Sequence, residues 1–102
     1  MSTVSLCMIV KDEEDVIGRC LESVAGLMDE IVIVDTGSSD RTKEIAAKYT
    51  DRIYDFAWTD DFAAARNFSF DQARCDYCMW LDADDVLKAP DREAFAQLKA
   101  SL

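Results

Sequence analysis

The chain has 102 residues, half of them hydrophobic, and a single proline, which suits one small domain and argues against disorder. Twenty-one acidic against 11 basic residues leave a net charge of −10. That balance argues against nucleic acid or an anionic membrane as the main partner, because neutralising phosphates takes a basic surface. Histidine is absent, which excludes histidine catalysis and histidine metal ligation.

The elements follow one another in a regular order. Met1 to Val10 lacks the basic and apolar regions of a signal peptide; Val4 to Val10 reads instead as a buried strand. Asp12 is expected to cap a helix, with Glu13, Glu14 and Asp15 near its positive end. Val16, Ile17, Cys20, Leu21 and Val24 recur at helical spacing as far as Gly26. Ile31 to Val34 is β-branched throughout, a second buried strand, and the turn residues Asp35 to Asp40 end it. A short helix is expected from Arg41 to Lys48, a third strand from Arg52 to Phe56, and a helix from Phe62 to Ala73 capped by Asp60 or Asp61. Tyr77 to Leu81 is the expected fourth strand. Phe95, Leu98 and Leu102 mark the inner face of a final helix after Pro90.

No apolar run approaches the roughly 20 residues of a membrane span. The expectation is one domain over residues 1–102, cytoplasmic, or peripheral at the inner membrane as the soluble part of something larger. Strands alternating with helices imply an α/β fold with an open, mostly parallel sheet and helices on both faces.

Four cysteines are present: Cys7, Cys20, Cys75 and Cys78. Cys75 and Cys78 have redox or half-zinc-site spacing, but no second such pair exists to complete a four-thiolate site. Cys7 and Cys78 lie in strand-like apolar runs and are expected to serve as small hydrophobes.

The run Met79 to Asp85 concentrates chemistry. Apolar residues lead directly into Asp82, Asp84 and Asp85. Clustered carboxylates repel one another and resist desolvation, and a divalent cation with a taste for oxygen ligands relieves both costs. In extended chain, Asp82 and Asp84 share a face. Open α/β sheets bind ligands at the carboxyl ends of their strands. Lys11 to Glu14, Asp35 to Ser38 and Asp82 to Asp85 are three such ends, expected to converge on one pocket.

Together, Ile9 to Glu14, Val34 to Asp40, Ala65-Arg66-Asn67 and Leu81 to Asp85 resemble the nucleotide-sugar half of the family-2 glycosyltransferases, which have the Rossmann-like GT-A fold. The resemblance implies roles for particular residues. Asp35 would accept a hydrogen bond from the uracil end of a nucleotide-sugar donor, a UDP-sugar. Thr36, Gly37 and Ser38 would shape the turn beside it. Lys11 and Glu13 would flank the nucleoside, and Arg66 would lie near the diphosphate. Asp84 would ligate Mn²⁺ or Mg²⁺, with Asp82 on the ribose or on the metal. Such a cation would stabilise charge on the leaving diphosphate and let an acidic protein hold an acidic substrate.

An inverting transferase also needs a general base for the acceptor hydroxyl, which the resembled family supplies beyond this stretch. The chain therefore reads as a truncated donor-binding part, inactive alone and open at a sheet edge for self-association. Plainer roles stand beside these. Asp12 to Glu14 can be a helix-start charge cluster, Asp40 and Asp85 caps or turn residues, and Arg66 a partner of Asp60 or Asp61. Asp82 and Asp84 also suit a phosphatase of the haloacid dehalogenase type, though that motif belongs on an opening strand. A nucleotidyltransferase would need a glycine-rich loop where Lys11 to Glu14 stands. A calcium loop from Asp82 to Glu93 has Leu87 at its glycine position. A non-catalytic nucleotide-binding module is the remaining alternative.

Overall fold

A computed structural model describes residues 3–57, 61–83 and 88–101. Its elements are β1 (Val4–Val10), α1 (Ile17–Val24), β2 (Glu30–Asp35), α2 (Thr42–Ala46), β3 (Ile53–Asp55), α3 (Phe62–Gln72), β4 (Tyr77–Trp80) and α4 (Ala89–Ser101). The four strands form one parallel sheet in the order β3-β2-β1-β4. The chain builds outward from β1 to β3, then returns to the other side of β1. That reversal is the switch point beside which open α/β sheets bind ligands.

Strand alternation sorts the core into two layers. Leu6, Met8, Val10 and Ile33 face α1 and α2, where Ile17, Cys20, Leu21, Val24 and Ala46 meet them. Cys7, Val32 and Val34 face the opposite way, against Phe68 and Ala73 at α3. The register Cys7↔Val32 and Met8↔Ile33 keeps the two sets apart, since a slip of one residue would exchange the faces. Burying each large side chain such as Leu6, Met8 or Ile33 contributes about 1.5–3 kcal/mol. Ile17, Cys20, Leu21 and Val24 are all fully buried, as their i, i+3, i+4, i+7 spacing requires. Gly26, at φ 82°, ends this helix region in the left-handed conformation that glycine adopts without a Cβ clash.

At the amino ends of the strands a polar network ties distant segments together. Glu30 accepts from Ser5 Oγ at 2.8 Å and from the Arg74 N–H at 2.9 Å, and it pairs with Arg52. Arg52 also donates to Tyr54 Oη at 2.8 Å and to the Gln72 carbonyl at 2.9 Å. Nearby, α4 is held by polar contacts: Lys99 bridges Asp29 at 2.8 Å, and Arg92 reaches the Ala25 carbonyl.

Several sequence expectations change. Asp12 does not cap α1, which starts at Ile17 with no side-chain cap; Asp12 instead adopts φ 52° and bonds across to the next loop. The fourth strand stops at Trp80, one residue short. Cys78 is exposed rather than buried, because β4 is an edge strand. Leu98 is 57% exposed, so it does not form an inner face of α4. Asp61 caps α3, accepting from the Ala64 N–H at 3.1 Å; Asp60 and Leu102 lie outside the described residues. Among the described residues no helix is long and apolar enough to cross a membrane.

Candidate functional site

The carboxyl ends of β1 and β2 are fastened to one another by side chains of the second loop. Three successive backbone N–H groups of the first loop donate across: Asp12 to Ser38 Oγ at 2.9 Å, Glu13 to Thr42 Oγ1 at 2.8 Å and Glu14 to Asp40 Oδ2 at 3.2 Å. In return Asp12 Oδ1 accepts the Ser39 N–H at 2.8 Å. Asp40 also accepts from the backbone and hydroxyl of Thr42. Desolvation opposes ionisation of Asp40, but the bonds from Thr42 and the Glu14 N–H outweigh it and hold the carboxyl below its usual range. Asp40 thus anchors the start of α2, as its cap-like sequence position suggests, and joins the two loops as well.

Asp35 is the last residue of β2 and only 1% exposed. Its Oδ1 accepts the N–H groups of Gly37 at 2.9 Å and Ser38 at 2.7 Å, an Asx-type turn that needs Gly37 at φ 114°. Its Oδ2 is buried and has no partner among the described residues. An orphaned buried oxygen is costly and uncommon, and a missing ligand donor is one physical reason for it.

Two cavities open here and share Thr36. One, of about 280 Å³, lies between the Asp35–Ser38 turn and Lys43, Asp55 and Phe56. The other, of about 230 Å³, is lined by Lys11 and Glu13 with Ile9, Val10 and Phe62. Six of the expected residues, Lys11, Glu13, Asp35, Thr36, Gly37 and Ser38, therefore gather at one end of the sheet. A larger cavity of about 510 Å³ lies at the opposite end of the strands, where Glu30 and Arg52 already pair with each other.

Asp60, one of the two carboxylates expected to pair with Arg66, lies outside the described residues; the side-chain contacts of Arg66 that are described are aromatic. Its guanidinium lies 5.0 Å from the Phe62 ring centroid and 5.5 Å from that of Trp80, within cation–π range. Phe62 and Trp80 meet edge to face at 5.9 Å. Phe62 also lines the second cavity, whose walls do not include Arg66. Asp82 follows β4 and is exposed, and its backbone carbonyl accepts from Cys20 Sγ at 3.6 Å. Asp82 is absent from the walls of both cavities. Asp84 and Asp85 lie outside the described residues, and among the described residues no cluster of three or more acidic or cysteine side chains could hold a metal.

Lys43, Asp55, Phe56 and Phe62 complete the cavity walls and were not expected from the sequence. Asp55 was findable: it ends β3, a fourth strand end of the kind the other three predicted. Lys43 donates to Asp55 at 3.0 Å. That bond, with the charges of Asp55 and Asp35, raises the pKa of the ammonium.

The profile of glycosyl transferase family 2 matches residues 5–98. The chain belongs to this family. Among family-related sequences, a TPR repeat-containing protein of Synechococcus elongatus is 44% identical across all of the chain, which covers 25% of that protein. The lipopolysaccharide core biosynthesis glycosyltransferase LpsC of Rhizobium meliloti is 31% identical over 96% of the chain and 37% of its own length. The chain thus spans about a quarter to somewhat over a third of these relatives. The fold is shared with residues 1–349 of Staphylococcus aureus TarS, with a TM-score of 0.80 at 24% identity over 96% of the chain and 31% of that TarS segment. It is shared also with glucosyl-3-phosphoglycerate synthase of Mycobacterium tuberculosis crystallised with Mg²⁺ and uridine diphosphate. There the TM-score is 0.70 at 22% identity, over 83% of the chain and 34% of the synthase. The GT-A-type α/β architecture expected of a family-2 glycosyltransferase is the one observed.

Proposed function

We propose that the chain is a single domain that binds the nucleotide-sugar donor of a glycosyltransferase, with a UDP-sugar as the donor class. The orphaned Oδ2 of Asp35 carries this reading: a buried acceptor at a strand's carboxyl end suits the ring N–H of uracil. Thr36, Gly37 and Ser38 shape the turn that holds Asp35, and Lys11 and Glu13 border the nucleoside from the neighbouring cavity. Arg66, steadied on Phe62 and Trp80, receives the diphosphate with its planar donors.

Asp82 and Asp84 hold Mn²⁺ or Mg²⁺ in this reading. Their carboxylates are hard oxygen donors suited to either ion, and the synthase that shares the fold was crystallised with Mg²⁺ and uridine diphosphate. When bound, the ion supplies positive charge to the leaving diphosphate. A chain of net charge −10 needs such a counter-charge to hold an anionic donor. No general base is assigned to these residues, and sugar transfer by the 102-residue chain alone is not expected; turnover by the purified chain would contradict that. The phosphatase alternative leaves Asp35 and Arg66 without a task.

Calorimetric titration with UDP, with and without Mn²⁺, tests the reading on the chain and on Asp84→Asn. UDP binding strengthened by Mn²⁺ and weakened by the substitution is expected. Metal-independent binding that the substitution leaves unchanged removes Asp84 from the site, and no UDP binding under either condition rejects donor binding. A further proposal is self-association along β4, an edge strand whose Tyr77 is 46% exposed. Light scattering over a concentration series decides it, and a monomer throughout rejects it.

A further inference from the structure

Asp35 and Asp55 are register partners on adjacent strands, so their side chains leave the sheet on the same face. It is the face of Ile33, covered by α1 and α2. Lys43 projects from α2 over the same ground and lines the same cavity as both carboxylates. Asp55 takes one of its three ammonium donors at 3.0 Å, which leaves two for another acceptor. The pair is 47% and 75% exposed, and an ion pair so open to water contributes little to stability. Its position is therefore better accounted for by what it presents to the cavity. The wall beside it consists of an unpartnered acceptor, Asp35 Oδ2, and the aromatic ring of Phe56.

An acceptor next to a cationic donor, alongside an aromatic surface, complements a flat ring that carries an N–H beside a carbonyl. Resting on the nucleotide-binding reading above, we propose that Lys43, aimed by Asp55, is a specificity residue that donates to the base carbonyl next to the N–H accepted by Asp35. Uracil matches this pattern, because its ring N–H lies between two carbonyl oxygens. Cytosine offers a lone pair at the same ring position and sets it against the carboxylate. The ammonium therefore adds to discrimination between bases as well as to affinity.

The test is equilibrium binding of UDP and CDP to the chain and to Lys43→Met, Asp55→Asn and Asp35→Asn, with thermal melts to confirm folding. The unmodified chain is expected to prefer UDP. Lys43→Met should weaken UDP about tenfold, the loss of one charge-assisted hydrogen bond, and CDP much less. Asp55→Asn should shift the ratio the same way by a smaller factor. An unchanged UDP-to-CDP ratio in Lys43→Met, while Asp35→Asn collapses it, overturns the role of Lys43 alone. Equal losses for both nucleotides would place Lys43 on the phosphates and also overturn it. A ratio untouched by Asp35→Asn overturns the nucleotide reading together with this inference.

Discussion

The carboxylate of Asp12 accepts the backbone N–H of Ser39 at 2.8 Å, while the Asp12 N–H donates to Ser38 Oγ at 2.9 Å. One residue thus locks the loop after β1 to the loop after β2, and it does so at φ 52°. Aspartate and asparagine tolerate that conformation better than most residues. Asp12→Asn should therefore retain most of the stability, whereas Asp12→Ala loses the lock and keeps the strain. A melting temperature lower by about 4–8 °C is expected for the alanine variant, equivalent to roughly 1 kcal/mol. Equal melts for the two variants would remove the carboxylate from the account.

The unpartnered Oδ2 of Asp35 carries a cost that the proposed nucleotide would relieve. Asn at this position keeps an oxygen for the Gly37 and Ser38 N–H groups and replaces the orphaned acceptor with a donor. Asp35→Asn should melt no lower than the original chain and bind UDP at least about tenfold more weakly. Thermal melting paired with calorimetry separates the two effects. A large drop in melting temperature would show that Asp35 serves the fold first.

Acid should loosen the network at the amino ends of the strands. Desolvation works against ionised Glu30, yet bonds from the Arg74 N–H, Ser5 and Arg52 outweigh it and lower its pKa below the ordinary 4.5. The bond from Lys99 and the Val4 N–H lowers Asp29 below its ordinary 3.8 in the same way. A lowered native pKa adds stability that is complete above the ordinary value and lost as pH falls through the native one. Urea midpoints should therefore be level near neutrality and fall below about pH 4.5. Glu30→Gln should be less stable at pH 7 and show a shallower acid decline. An unaltered acid slope in that variant would assign the loss to other carboxylates.

Thiol reactivity should follow position in the sheet. Burial, and next the neighbouring Cys78, push the pKa of Cys7 up to about 12, so it remains a protonated thiol at pH 8. Cys20 is buried as well, while Cys78 is exposed on the edge strand. With a chromogenic disulfide reagent at pH 8, Cys78 should react first, and Cys7 and Cys20 only after denaturation. Prompt labelling of Cys7 in the folded chain would contradict its placement under α3.

Much of the local structure was legible in the chain itself. Apolar runs, helical spacing and turn residues together located all eight elements, because they reflect which face each element must bury and where it must stop. The turn residues after Val34 marked Asp35 as a strand-end side chain, and Asp35 lies there. Where the reading failed, the cause was non-local. Asp12 resembles a cap, but the hydroxyl of Ser38 and the N–H of Ser39 offered it better partners than α1 did.

Strand order is the other non-local quantity. Nothing in Tyr77 to Trp80 reveals that this strand closes one edge of the sheet, so the exposure of Cys78 became evident only in the folded chain. Likewise the register of β2 on β3 sets Asp55 beside Asp35, and only the packing of α2 over that face brings Lys43 to both. By itself the sequence determined the elements, the inner faces of β1, β2 and α1, and the acidic strand ends, since those depend on neighbours a few positions away. The tertiary structure decided which ends share a cavity, because that depends on pairings such as Asp35 with Asp55, 20 positions apart; the turn to Gly37 and Ser38 takes one Asp35 oxygen locally, and only the fold leaves the other buried without a partner among the described residues.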